Sequence, residues 1–300
     1  MSRRWLVTGA GGMLGGDLVD VLSGTPDTEV AAFGRADLDI TRPAAVRAAV
    51  RGQDVVVNAA AWTDVDAAET AEDKATATNG HAVADLARAC AESGAILLHL
   101  STDYVFPGNA TTPYPEGAPT APVNAYGRGK LLGEEAVLQL LPESGYVVRT
   151  AWLYGERGRN FVSTVLRLAA QRDTIDIVDD QRGQPTWSYA LAERLVALGA
   201  AALAGEAPAG PYHGTASGAT TWYGLARAVF AGAGLDPARV RPTTTAHFPR
   251  PAPRPRYSVL GHDRWSAAGL TPMASWDVSL AVALARPGFA DLMPMARRRA

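Results

Sequence analysis

Trp5-Leu6-Val7-Thr8-Gly9-Ala10-Gly11-Gly12-Met13-Leu14-Gly15 decides the fold. Three apolar residues read as a short buried strand, and the glycines that follow fall three apart at Gly9, Gly12 and Gly15. After a strand and before a helix, that spacing serves a tight turn, a close backbone approach to a pyrophosphate, and tight helix–sheet packing. The helix that opens here offers free N–H groups and the positive end of its dipole to phosphate. The stretch therefore predicts the first half of a βαβ unit and a dinucleotide site.

Outward from it, strand-like and helix-like runs alternate. Glu29–Phe33, Asp54–Val57, Ala95–Leu100 and Tyr146–Arg149 read as further strands. Between them fall a helix entered at Thr41 as N-cap with Pro43 in its first turn, and an alanine-rich helix over about Asp73–Ser93. Short apolar strands alternating with helices predict an α/β fold, a Rossmann-like doubly wound parallel sheet. The alternation weakens after Ala151, and Pro242, Pro249, Pro251, Pro253 and Pro255 exclude helix and central strand from their stretch. The expected plan is a nucleotide-binding domain over 1–152 plus about 180–205. A smaller, irregular α/β substrate domain takes about 153–179 and 206–300.

The end of the second strand, Phe33-Gly34-Arg35, lacks the acidic residue that grips an NAD ribose. Arg35 there can pair with a 2′-phosphate, which favours NADPH with NADH as the alternative, although an exposed loop arginine would look the same. Tyr126 and Lys130 stand four apart, one turn of a helix, so a lysine ammonium near the phenol would lower its pKa for proton exchange with a carbonyl. Thr102, in Leu100-Ser101-Thr102-Asp103, closes the fourth strand, where ligands of open α/β sheets sit.

With 47% hydrophobic and 19% charged residues and a formal charge of −2, the chain reads as an ordinary globular protein. That charge gives no case for nucleic acid or an anionic membrane. Arg297-Arg298-Arg299 reads as a frayed tail. Cys90, the single cysteine, excludes an internal disulfide and reads as a core residue. His81, His99, His213, His247 and His262 show no metal-ligand spacing and read as structural, so no metal is expected. No apolar run of membrane-spanning length and no secretory leader are read, which makes cytoplasm the expected location.

Thr102, Tyr126 and Lys130 behind the glycine loop resemble the extended short-chain dehydrogenase/reductase superfamily. Longer segments are similar to the dTDP-4-dehydrorhamnose reductases: Asn58–Glu69, Ser101–Phe106, Arg149–Gly155, Asp180–Thr186, Tyr212–Gly214 and Arg254–Leu260. The resemblance implies reduction of the C4 keto group of dTDP-4-dehydro-β-L-rhamnose to dTDP-β-L-rhamnose. Tyr126 would supply the proton, Lys130 would depress its pKa and hold the nicotinamide ribose, and Thr102 would bond the C4 oxygen. By the same resemblance Val65, Asp103, Tyr104 and Trp152 join Thr102 and Tyr126 in binding substrate. Arg182 and Arg254 carry guanidinium groups that can pair with the dTDP diphosphate, although solvated surface arginines would look the same. Gly9, Gly11, Gly12, Met13, Leu14, Gly15, Arg35, Asp39, Ile40, Ala59, Ala60 and Ala61 join Tyr126 and Lys130 in binding cofactor.

Three residues depart from the family pattern. Pro107 and Gly129 replace the usual Asp and Ser or Thr, and Gly129 would leave room near the cofactor. Tyr257 stands where Asn is usual, in the nucleotide-sugar region. Reduction of a different dTDP-4-keto-6-deoxyhexose therefore stays open, as does a non-catalytic regulatory subunit like that of methionine adenosyltransferase. Some family members dimerise through magnesium. Only Asp17 falls near such a position, so Mg2+ is not expected and the chain is read as a monomer or homodimer.

Overall fold

The structure is a computed structural model that describes residues 2–293. The Arg297–Arg299 tail lies outside the described residues. The first half runs β1 (Arg3–Thr8), α1 (Met13–Ser23), β2 (Thr28–Phe33), α2 (Pro43–Val50), β3 (Val55–Asn58), α3 (Val65–Ala68), α4 (Glu72–Thr76), a π-helical turn (Ala77–His81), α5 (Ala82–Ser93), β4 (Ile96–Thr102), a 3-10 turn (Asp103–Val105), α6 (Ala125–Leu140) and β5 (Gly145–Thr150). Next come β6 (Leu153–Tyr154), α7 (Phe161–Gln171), β7 (Ile175–Val178), β8 (Arg182–Gly183), β9 (Thr186–Trp187), α8 (Ser188–Leu203) and β10 (Gly210–His213). The chain continues through β11 (Ala216–Ser217), β12 (Thr220–Thr221), α9 (Trp222–Gly232), β13 (Val240–Thr243), α10 (Asp263–Ala267), β14 (Met273–Ser275), α11 (Trp276–Leu284) and α12 (Pro287–Ala290).

Six parallel strands form the central sheet in the order β10-β5-β4-β3-β1-β2. All five strands read from the sequence are present, each within two residues of its expected ends. Alternation along β1 explains the two faces. Trp5 and Val7 join Leu98, Leu100, Val148 and the Leu191–Leu195 face of α8 in one core. Leu6 joins Val56, Leu97, Val147 and the buried sides of α2, α5 and α6 in the other, with Cys90. A third core, centred on Leu166, Trp187, Val229 and Leu280, lies among the C-terminal elements.

Several local readings change. Residues Gly210–His213 supply the sixth strand, which is short, contains Pro211 and sits at a sheet edge, where proline is tolerated. This strand, with Trp265 and Met273 of the first core, lies inside the 206–300 segment assigned to a substrate domain. The segment thus also helps to build the nucleotide-binding half. Thr41 does not cap α2: Arg42 holds the N-cap position, and the Thr41 hydroxyl bonds Asp39 at 2.7 Å. The helix expected over Asp73–Ser93 runs from Glu72 and widens into the π turn where α6 packs across it.

The strand order reverses between β1 and β3, and a ligand crevice opens beyond the carboxyl ends of strands at such a point. The glycine loop after β1 and Ala59–Ala61 after β3 flank it.

Candidate active site

Gly9 shows why the loop sequence is what it is. Its φ is +70°, and a Cβ there would stand 2.6 Å from Ala60 N. Gly15 carries the opening of α1 against the Gly9 carbonyl. Gly12 caps α1 without a side-chain bond, so the helix presents bare N–H groups. Gly11, Gly12 and Met13 stay accessible while Leu14 is buried in the sheet core. This is a cradle that fits a dinucleotide pyrophosphate. Arg35 is exposed just past β2, next to Gly34, whose N–H is held by Asp37 at 3.0 Å. Asp39 accepts from Thr41, which with the neighbouring Arg35 holds its carboxyl low, and Ile40 is buried. Ala59, Ala60 and Ala61 are half-buried along the crevice.

The catalytic candidates come from β4 and α6. Asn124 caps α6 by accepting from Gly127 N at 2.8 Å, and its amide nitrogen donates to Pro253 O. Glu69 accepts from Ala125 N at 2.8 Å. Gly127 lets the helix rest directly on the Tyr104 carbonyl, where a Cβ would collide. The start of α6, with Tyr126, is thereby locked beside the end of β4. The Tyr104 ring meets the Tyr126 ring edge-on at 6.1 Å. Thr102 is buried, donates to Asp103 Oδ1 at 3.0 Å and accepts from Tyr104 N at 3.1 Å.

Asp103 is 3% exposed, and its Oδ2 has no hydrogen-bond partner. Burial pushes its carboxyl up to about 7, against the pull of the Ser258 and Thr102 hydroxyls. Burial and the Asp103 charge also raise the Tyr126 phenol above its ordinary value. The expectation that Lys130 lowers this phenol does not hold in this arrangement. Lys130 Nζ instead donates to Leu100 O at 2.5 Å and lies 3.4 Å from His99 Nε2. Burial draws Lys130 down to about 8, opposed by Glu134, so the lysine holds its own charge weakly.

The substrate candidates divide into two groups. Val65 opens α3, and the next residue, Asp66, pairs with Arg254 at 3.0 Å. The Arg254 guanidinium sits 6.0 Å from the Tyr104 ring. Arg254, Tyr104, Asp103, Thr102 and Tyr126 therefore belong to one neighbourhood, with Val65 next in sequence to Asp66. The proline-rich strap is tied to it through Ala252 N on Asp66 and Pro253 O on Asn124. Trp152 belongs to a second. It is one of two non-glycine residues with positive φ among those described, at +47°, and it stacks on Trp222 at 3.6 Å. Gly183 gives its ring room, and Arg182 is exposed beside Gly183 on β8. Tyr257 bridges to Arg182 and leans on Tyr114. Gly129 faces Thr76 and Asn79 at 3.5–3.6 Å, so the room it leaves is toward α4 and the π turn, not the cofactor crevice. Asp17 is paired with Arg157 at 2.6 Å and Ser188 at 2.5 Å.

The sequence reading missed several working neighbours. Glu134 forms a buried two-point bond with Arg149 at 2.7 and 3.0 Å. Its signal was present, one helical turn beyond Lys130. Asn58, Asp66 and His99 have side-chain partners far along the chain, whereas Asn124 carried a local signal as an asparagine N-cap three residues before Gly127.

The glycine cradle at the switch point and the Thr102–Tyr126–Lys130 set beyond β4 define an extended short-chain dehydrogenase/reductase. Within that superfamily the chain belongs to the family described as RmlD substrate binding domain, whose model matches residues 3–287. It is 57% identical over 279 residues to a dTDP-4-dehydrorhamnose reductase of Streptomyces griseus, covering 92% of this chain and 91% of that one. It is 50% identical over 282 residues to a dTDP-4-keto-6-deoxy-D-glucose reductase of Streptomyces niveus, covering 93% and 96%. Among solved structures, dTDP-4-dehydrorhamnose reductase of Bacillus anthracis in complex with NADP superposes with a TM-score of 0.89 at 35% identity, over 95% of this chain and 99% of that one.

Proposed function

We propose that the protein reduces the C4 keto group of dTDP-4-dehydro-β-L-rhamnose to dTDP-β-L-rhamnose with NADPH. The observation that carries this is the meeting of Thr102 and Tyr126 at the carboxyl end of β4, with Lys130 one turn along the same helix and bonded to Leu100 O of that strand. The likeness over most of the chain to the Streptomyces griseus and Bacillus anthracis enzymes supports the substrate and the cofactor. When bound, the reduced nicotinamide would supply hydride to C4. The residues of this chain do the rest. Tyr126 gives its phenolic proton to the sugar oxygen as negative charge develops there. The Thr102 hydroxyl turns from Asp103 to that oxygen, and a protonated Asp103 can donate back to Thr102. Lys130 fixes the nicotinamide ribose. Val65, Asp103, Tyr104 and Arg254 line the hexose, and Trp152 with Arg182 faces the nucleotide-sugar diphosphate.

The domain reading accompanies this: 1–152 with about 180–205 holds the cofactor, and about 153–179 with 206–300 holds the sugar nucleotide, β10 excepted. Among the described residues no helix is long and apolar enough to cross a membrane. Arg35 would pair with the 2′-phosphate of NADPH, and Arg35→Ala should erase most of the preference over NADH in a direct kcat/KM comparison.

A second reading rests on the Streptomyces niveus relative, which its name assigns to another 4-keto-6-deoxy sugar. One experiment separates the two: assay of several dTDP-4-keto-6-deoxyhexoses with NADPH, with the C4 configuration of each product determined. The L-rhamno product at the highest kcat/KM supports the proposal. Turnover of another epimer alone transfers the function to the second reading.

A further inference from the structure

A buried polar chain runs under the site from the glycine loop to Lys130. Thr8 Oγ1 donates to Asn58 Oδ1 at 2.6 Å, and Ala60 N donates to the same oxygen at 3.3 Å. A backbone N–H can only donate, so the amide oxygen of Asn58 faces the loop and its NH2 faces His99. That nitrogen lies 3.0 Å from His99 Nδ1, which must therefore accept. His99 is fully buried, and burial together with Lys130 holds it well below its ordinary value, so the ring is neutral and its one hydrogen sits on Nε2. That N–H points at Lys130 Nζ, 3.4 Å away. An ammonium has no lone pair to receive it, whereas a neutral amine can accept from His99 and still donate to Leu100 O.

We propose that His99, locked by Asn58 as its Nε2–H tautomer, is a positioning residue that directs an N–H at Lys130 and sets how weakly the lysine holds its charge. This rests on Tyr126 and Lys130 being the working pair of the proposed reductase. The charged groups on surrounding elements are engaged elsewhere. Glu134, on the lysine's own helix, is bonded to Arg149 of β5. Glu69 holds Ala125 N, Glu72 holds Arg128, Asp85 holds Arg88, and Asp103 holds Thr102. His99 is thus the group that faces Nζ with a donor. The chain also gives the glycine loop a route to the lysine, since Thr8 immediately precedes Gly9.

Composition makes the test direct, because Lys74 and Lys130 are the only lysines in the sequence. Protein carrying 13C at lysine Cε gives two titrating side-chain signals, with exposed Lys74 as internal reference. In the wild type, long-range 15N–1H spectra of labelled histidine should show His99 protonated at Nε2, assigned by its disappearance in His99→Gln. His99→Leu removes the donor and should raise the Lys130 midpoint on the order of one pH unit. His99→Gln, whose amide can place an N–H at the same point, should keep it near the wild-type value. The alkaline limb of kcat, where the ammonium is lost, should move up with the Leu variant and stay with the Gln variant. An Nδ1-protonated His99, or a Lys130 midpoint unmoved or lowered in His99→Leu, overturns the inference. Both NMR readings need no substrate, so an absence of sugar reduction would sink the proposed function and leave this test standing.

Discussion

Asp103→Asn separates the cost of a buried carboxylate from its use. In the folded protein Asp103 titrates at about 7, against 3.8 for the free side chain, a difference of about 3 units. At about 1.4 kcal/mol per unit, the ionised carboxylate costs the native state up to about 4 kcal/mol. The sign follows from proton counting. Between these two values the folded state keeps a proton that the unfolded chain has released, so stability falls as pH rises through the window. Above about pH 7 the full cost is present, and below about pH 4 it is gone. Asparagine removes the charge and keeps the shape, but its NH2 replaces Oδ2, which has no partner within hydrogen-bond geometry although the Ser258 hydroxyl lies near the carboxyl. A buried donor left unmet costs about 1–3 kcal/mol. Urea unfolding should therefore find the variant more stable than wild type by about 1–3 kcal/mol near pH 8. Near pH 4.5 it should be roughly equal or less stable. A variant-minus-wild-type difference that is the same at both pH values, within about 0.5 kcal/mol, would refute the reasoning.

Tyr126→Phe should lower kcat by about 10²–10⁴-fold, with cofactor affinity by fluorescence little changed; loss of less than about tenfold removes the phenol from the proton step. Gly129→Ala should raise stability by about 1 kcal/mol in urea melts with kcat retained, since its added methyl meets only ordinary contacts at 3.5–3.6 Å. Glu134→Gln leaves the buried Arg149 guanidinium without its counter-charge and should cost about 3–5 kcal/mol; a loss below about 1 kcal/mol would mean that solvent or the Glu116 carbonyl already satisfies Arg149.

The sheet was legible because its signals are local. Trp5–Val7, Val55–Val57 and Tyr146–Val148 are continuous apolar runs, and Gly9 and Gly15 mark positions that no side chain can occupy. What escaped was set by residues distant in sequence. The Gly210–His213 strand exists because β5 offers it an edge, and its four residues with a proline carry no strand pattern of their own. Nothing near Gly129 says that Thr76 and Asn79 will lie against it. Thr41 is not the cap because the helix begins one residue later, with Arg42 at the N-cap position, and its hydroxyl donates to Asp39, two residues away.

The Tyr126–Lys130 pair shows the same division at finer grain. The four-residue spacing of Tyr126 and Lys130 told that they share a helix face, and no more. Whether the lysine is charged depends on what meets Nζ from across the sheet, and there β4 supplies a carbonyl at 2.5 Å and an imidazole at 3.4 Å rather than a carboxylate. The one nearby carboxylate, Glu134, gives its charge to Arg149. A lysine so surrounded holds its proton less firmly than an exposed one, about 8 against 10.5, yet its ammonium is still the larger form at neutral pH.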